Sequence, residues 1–161
     1  MDLDVSTSAP EGVELHESLA ELYDYWNRAR GDRWAPAWSD FRLTDFSDKL
    51  IPLLIVLDVK RDPMDFVYRF WGTANTVNLG YDCTGKSVHE NGLFGDKVFN
   101  ECRQVVEERR PIIFHSKVTR DDGLYREYSR IRLPLSDGGD KVAHIISSVH
   151  ITVNLVEDFG E

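Results

Sequence analysis

The side chains able to do chemistry are scattered along this sequence and form no familiar catalytic spacing. The five histidines, His16, His89, His115, His144 and His150, show neither a His-x-His nor a His-Glu-x-x-His pattern. His144 and His150 share one parity of a predicted strand, but six residues of strand span about 20 Å, so they cannot share a metal. Cys83 and Cys102 are too few for a disulfide framework and lack the Cys-x-x-Cys spacing of a zinc site. Both read as reduced thiols. Nucleophile elbow, P-loop and dinucleotide fingerprint are all missing. Nothing in the spacing of Asp45, Asp48 and Asp58 demands paired carboxylates. No catalytic residue and no metal ligand is assigned.

The charged pattern with most content lies near the C-terminal end. Arg126, Tyr128, Arg130 and Arg132 share one strand parity, and Ile131, Leu133 and Leu135 the other. A preceding segment repeats this, with Ile112, Phe114, Ser116 and Val118 set against Ile113, His115 and Lys117. One face of a sheet is therefore apolar and the other carries arginines. Two readings of the arginine face stay open: a solvated surface, or a landing site for an acidic helix.

The elements that position these residues follow from periodicity. Residues 1–12 are polar and read as a frayed end. From Val13, Leu15, Leu19, Leu22 and Trp26 recur on one helix face, Glu14, Glu17, Glu21 and Asp24 fill much of the rest, and Gly31 ends the helix after Arg28 and Arg30. Residues 32–49 are irregular and aromatic. Strands are predicted over 53–59, 66–71, 111–118, 125–135 and 142–153, with a helix over 96–109. Helix, two strands, a helical middle and a three-stranded meander make an α+β domain, a helical layer against an antiparallel sheet. The organisation is a disordered N-terminus (1–12), a helical extension (13–49), a core (50–155) and a tail (156–161).

Length and composition agree with one folded domain. The chain has 161 residues, 42% hydrophobic and 29% charged, with four Trp, six Tyr and eight Phe, which excludes a disordered chain. A net charge of −9 argues against nucleic acid as a partner. The longest apolar run, Pro52 to Leu57, falls far short of the ~20 residues that cross a bilayer. The acidic N-terminus has no signal-peptide pattern, so a cytoplasmic protein without membrane contact is expected.

Several motifs then carry a family resemblance. Tyr68-Arg69-Phe70-Trp71-Gly72-Thr73 resembles the end of the second strand of a PAS domain entering its first short helix. Leu79-Gly80-Tyr81-Asp82-Cys83-Thr84-Gly85-Lys86-Ser87 resembles the following PAS stretch. Tyr25-Trp26, Arg30-Gly31, Leu50-Ile51-Pro52-Leu53 and Leu133 to Ser136 are similar to motifs of a family of short stand-alone PAS-like proteins of alphaproteobacteria. The resemblance covers about residues 19–153. It implies a PAS-like five-stranded sheet with the first and last strands neighbours at its centre, a cavity between sheet and helices, and sensing or protein interaction in place of catalysis.

What else the resemblance implies is specific. Photosensory PAS domains carry a reactive Cys after the position of Lys86-Ser87, whereas Cys83 precedes it, so no flavin is expected. Haem-binding PAS domains usually offer a His from the long helix, and residues 96–109 contain none. Gly138-Gly139-Asp140 resembles part of a cyclase signature, but Lys141-Val142 break it and it reads as a turn. No cofactor is therefore expected. Trp71, Asn75, Phe99, Cys102 and Phe114, with Ser147 or Ser148, are expected to line a cavity for a small apolar or amphipathic ligand, Asn75 as its polar anchor. A homodimer is expected through Leu15, Leu19, Leu22 and Trp26, with the helix acids facing Arg126, Arg130, Arg132 and Lys117; its rival is a monomer whose helix folds back on its own sheet. The functional expectation is a non-enzymatic sensory or regulatory module acting with a separate signalling protein. The alternative is a small α+β enzyme or carrier using the same cavity.

Overall fold

The computed structural model describes residues 2–119, 123 and 125–154, without the side chains of residues 2–4, 78, 93, 153 and 154. The elements in chain order are β1 (Asp2–Ser8), α1 (Glu17–Arg30), β2 (Ile55–Lys60), β3 (Asp65–Trp71), α2 (Thr73–Leu79), α3 (Gly95–Glu108), β4 (Ile112–Thr119), β5 (Tyr125–Ser136) and β6 (Val142–Asn154). The strands form one antiparallel sheet in the order β1-β4-β5-β6-β2-β3. The first and last strands of the expected five, β2 and β6, are neighbours away from either edge, as the PAS resemblance implies. The expected tail, residues 156–161, lies outside the described residues.

Two differences concern the N-terminal part. Residues 2–8 do not fray: they form β1, pairing antiparallel with β4 from Asp2 opposite Thr119 to Ser8 opposite Ile113. Their polar side chains hid this, because an edge strand is held by backbone hydrogen bonds and needs no apolar face of its own. Helix α1 also starts later than its periodicity suggests. His16 is extended at the N-cap, and its Nδ1 accepts from the Ser18 N–H at 3.2 Å. Gly31 ends the helix with φ +57°, a left-handed conformation natural only to glycine.

The sheet is covered on both faces. On the outer face, Leu19, Leu22 and Trp26 of α1, with Phe41, Phe46 and Leu50 of the short turns that follow, bury against Val56, Ile113, Ile131, Leu133, Leu135 and Ile146. The Trp26 indole N–H donates to the Pro134 carbonyl at 2.8 Å. On the inner face, Leu57, Phe66, Tyr68, Ile112, Phe114 and Ile145 bury against Val88, Cys102 and Val105.

Helix α1 thus lies on the apolar face, not on the arginines, and its acids do not pair with Arg130 and Arg132. The reason is one of magnitude. Each fully covered Leu contributes ~1.5–3 kcal/mol, whereas an exposed ion pair contributes ~0–1 kcal/mol. The apolar stripe therefore chooses the face. Glu14, Glu17 and Asp24 remain exposed, and Glu21 instead accepts from Ser47 N–H and Oγ, both at 2.7 Å.

Gly72 marks the tightest approach. A Cβ built there would stand 2.2 Å from the Pro52 carbonyl oxygen, and the Gly72 N–H donates to the Leu54 carbonyl at 2.8 Å. Backbone on both sides leaves no flexible group to move aside. Gly72→Ala is expected to lower stability by about 1–3 kcal/mol in urea unfolding. A change within a few tenths of a kcal/mol would show that this junction yields.

Candidate functional site

The site lies between the inner face and α3, and the strand register builds it. Phe114 stands opposite Arg130 and Ile112 opposite Arg132, so the two arginines share a face with two buried apolar residues. Both guanidinium groups therefore point under α3. Arg132 and Glu101 are almost completely buried, with side chains only 5% and 6% exposed, and Arg130 is 13% exposed. Helix α3 covers this face through Val98, Phe99, Cys102 and Val105, and the same turns direct Glu101 and Lys97 at the sheet.

Glu101 holds both arginines. Arg130 Nε donates to Oε1 at 3.0 Å and Arg130 Nη2 to Oε2 at 2.6 Å, a two-point clamp, while Arg132 Nε donates to Oε1 at 3.0 Å. Arg132 Nη1 donates to Ser147 Oγ at 3.1 Å. Lys97 Nζ and Arg130 Nη2 both donate to Ser116 Oγ, at 2.8 and 3.0 Å. Burial alone would raise the Glu101 carboxyl; Arg132 and Arg130 outweigh it and hold the group below the usual carboxylate range. Burial, then Arg130, draws the Lys97 ammonium down to about 8. Burial pushes the Cys102 thiol up to about 11, which keeps it a protonated, unreactive core residue.

A second polar chain lies beside the first. Tyr81 donates to Asn91 Oδ1 at 2.7 Å, and Asn91 Nδ2 donates to the Tyr68 hydroxyl at 2.8 Å. Burial raises the Tyr68 phenol well above its ordinary value. Among the described residues, no buried side-chain nitrogen or oxygen lacks a partner. Nor do three or more His, Cys, Asp or Glu converge there in a way that could hold a metal ion.

The expected cavity residues divide. Trp71, Cys102 and Phe114 belong to the inner core, with Phe99 packed against it. Asn75 is buried, but its Nδ2 donates to the Gly72 carbonyl at 3.2 Å, so it braces the start of α2. The two serines part by strand alternation: Ser147 faces the arginines, while Ser148 Oγ donates to the Ser18 carbonyl of α1 at 3.0 Å on the outer face. Sequence reasoning missed Glu101, Lys97 and Ser116. Lys97 and Glu101 are four apart on α3, a spacing that shares a helix face, and that was the available signal.

The other candidates take separate roles. Asp45 accepts from the Tyr25 hydroxyl at 2.9 Å. Asp58 accepts from Arg69 Nε at 2.6 Å and His144 Nδ1 at 2.8 Å. His150 stacks on His16 with ring centroids 3.5 Å apart. Cys83 is buried in the inner core beside Asn91.

No family model matches the chain, and no curated protein matches it. Among solved structures, it is similar to one described as an RNA-binding light-oxygen-voltage receptor, with a TM-score of 0.48 and 16% identity. That match covers 92% of this chain and 38% of the receptor chain. The fold itself is α+β and PAS-like, a statement that rests on the strand order: two strands, a helical middle and three strands, with the first and last side by side.

Glu101→Gln leaves two buried guanidinium groups without their carboxylate and is expected to cost about 3–5 kcal/mol. Replacing the whole cluster (Glu101→Leu with Arg130→Met and Arg132→Met) should bring stability back to within about 2 kcal/mol of the parent. Urea unfolding of both variants checks this. If the single change is the milder of the two, the cluster does not act as a charge-compensated unit.

Proposed function

We propose that this chain is a non-enzymatic PAS-like sensory or regulatory module, in which a small molecule or a protein partner acts on the inner face and α1 carries the response on the outer face. One observation supports this reading above others. Strands β5 and β6 contact the inner cluster and α1 through consecutive residues. Arg132 meets Glu101 while Leu133 packs under α1, and Ser147 meets Arg132 while Ser148 bonds the start of α1. A change in how Arg132 is held is therefore one residue away from the seat of α1. The signal would then pass to a separate protein.

Among the described residues no helix is long and apolar enough to cross a membrane. A homodimer through α1 would require Leu19, Leu22 and Trp26 to leave their own sheet, where they are now buried. Burial of α1 on its own sheet supports the monomeric alternative, and exchange of α1 between two chains would require it to detach. The negative net charge continues to argue against nucleic acid.

A second reading, a small enzyme or carrier, draws on the convergence of buried ionisable groups. Against it stands the state of those groups: Glu101 is ionised and committed to two arginines, and the Cys102 thiol is protonated. Neither is poised to exchange a proton near neutral pH; Lys97, drawn down to about 8 by burial and Arg130, is the group of the cluster that titrates nearest neutrality, and it is the feature that favours this second reading.

Hydrogen exchange tests the transmission. Arg132→Met is expected to speed exchange across Glu17–Arg30, compared with Val105→Ala, a control that weakens the inner layer without removing a member of the ion cluster. Equal effects of the two variants on α1 would defeat the reading. Native mass spectrometry of the freshly purified full chain tests the sensor itself: a retained small molecule, or a defined oligomer, is the expected result.

A further inference from the structure

The charges of the inner site do not balance. Lys97, Arg130 and Arg132 supply three cations, and Glu101 is the one carboxylate in contact with them among the described residues. Glu101 is fully engaged by the arginines. Lys97 and Arg130 converge on Ser116 Oγ, a neutral oxygen, from 2.8 and 3.0 Å. Two cations aimed at one oxygen mark a position where a negative charge is missing, because a hydroxyl dipole compensates little of the cost of holding like charges together away from water. Burial first, and the neighbouring Arg130 second, lower the Lys97 ammonium.

The geometry also grades access. Arg132 and Ser147 are buried at the floor, Arg130 is slightly exposed, and Lys97 is only partly buried. An anion that displaces the buried Ser116 hydroxyl would meet Lys97 and Arg130 first and leave the Glu101–Arg132 end closed. Ser116 itself is fully buried, while Val5, opposite it on the edge strand β1, is exposed, so the solvent-facing side of this position is the β1 edge.

We propose that this position binds the carboxylate of a small organic acid, held by Lys97 Nζ and Arg130 in place of their shared bond to Ser116. A carboxylate suits the pair: it presents two oxygens, one for the ammonium and one for a guanidinium N–H, as Glu101 already does for the two arginines. The rest of the acid extends toward the β1–β4 edge. This identifies the ligand class for the sensory reading and rests on that reading. Binding would loosen the Arg130 contribution to Ser116 while leaving Glu101 and Arg132 in place, so the ligand acts on the β5 strand that seats α1.

The test uses the full chain with sodium succinate, and with sodium chloride and sodium phosphate at matched ionic strength. Succinate is expected to raise the unfolding temperature in a saturable way and to give a binding isotherm. Lys97→Met should weaken it at least about tenfold, the worth of one charge-assisted hydrogen bond. Ser116→Asp places a carboxylate between Lys97 and Arg130 within the chain, so it should unfold at a temperature no lower than the parent and no longer respond to succinate. Ser116→Ala, which removes only the displaced hydroxyl, should still bind. Equal effects of succinate and chloride, or unchanged binding by Lys97→Met, overturn the proposal, and phosphate binding in preference to succinate overturns the carboxylate assignment. If succinate fails while native mass spectrometry finds a retained molecule without a carboxylate, the anion site is wrong and the sensory reading survives. If succinate binds but α1 exchange does not change, the site stands and the sensory reading falls.

Discussion

A single carboxylate sets how the two halves of this domain meet. Glu101 of α3 holds β5 by charge through both of its buried arginines, and it does so from a nearly waterless position. Bringing Arg132 to that depth would be prohibitive alone, and the clamp with Glu101 makes it tolerable. The consequence is a constraint on register. Were α3 to slide by one turn, or β5 by one residue, a guanidinium group would be buried with no anion beside it. Apolar contacts such as Cys102 and Val105 against Phe114 and Ile145 supply bulk stabilisation but tolerate many arrangements; the ion cluster selects one of them.

The same cluster explains why two layers share one sheet so economically. Strand alternation sends each residue of β5 and β6 to the opposite side from its neighbours. Where one side carries a charged cluster and the other a helix seat, the strands become the only material between them. The bonds on the outer side are few and identifiable: the Trp26 indole on the Pro134 carbonyl, Ser148 on the Ser18 carbonyl, and the stacked His16 and His150 rings. A structure built this way has short lines of communication from its inner charges to its outermost helix.

Much of this was legible from residue order. The five core strands, the long α3 and the face of α1 all follow from periodicity, and the shared parity of Arg126, Arg130 and Arg132 was plain. What periodicity does not encode is which face receives which helix. Parity separates Arg130 and Arg132 from Ile131, Leu133 and Leu135 but says nothing about inside and outside, and arginines are so often solvated that the buried outcome is not the default. Cross-strand register decides it, by setting Ile112 and Phe114 against the arginines. Arg120-Asp121-Asp122-Gly123 reads as a turn, but a turn signal alone does not say which residues pair across it. For the same reason Ser147 and Ser148, adjacent and alike, could not be told apart. The β1 strand escaped because its stability comes from the backbone of β4.

Trp34 adds a consequence for how the chain unfolds. It packs against both the outer and the inner core, its indole N–H donates to the Gly139 carbonyl at 2.9 Å, and the Arg109 guanidinium lies 4.3 Å from its ring centroid. One side chain thereby fastens the irregular segment after α1, the β5–β6 hairpin and the end of α3. Two cores on opposite faces of a sheet, with nothing joining them, would melt as separate units. A shared aromatic fastening joins them, so their transitions should coincide, and the domain behaves as a single cooperative body despite its two interiors.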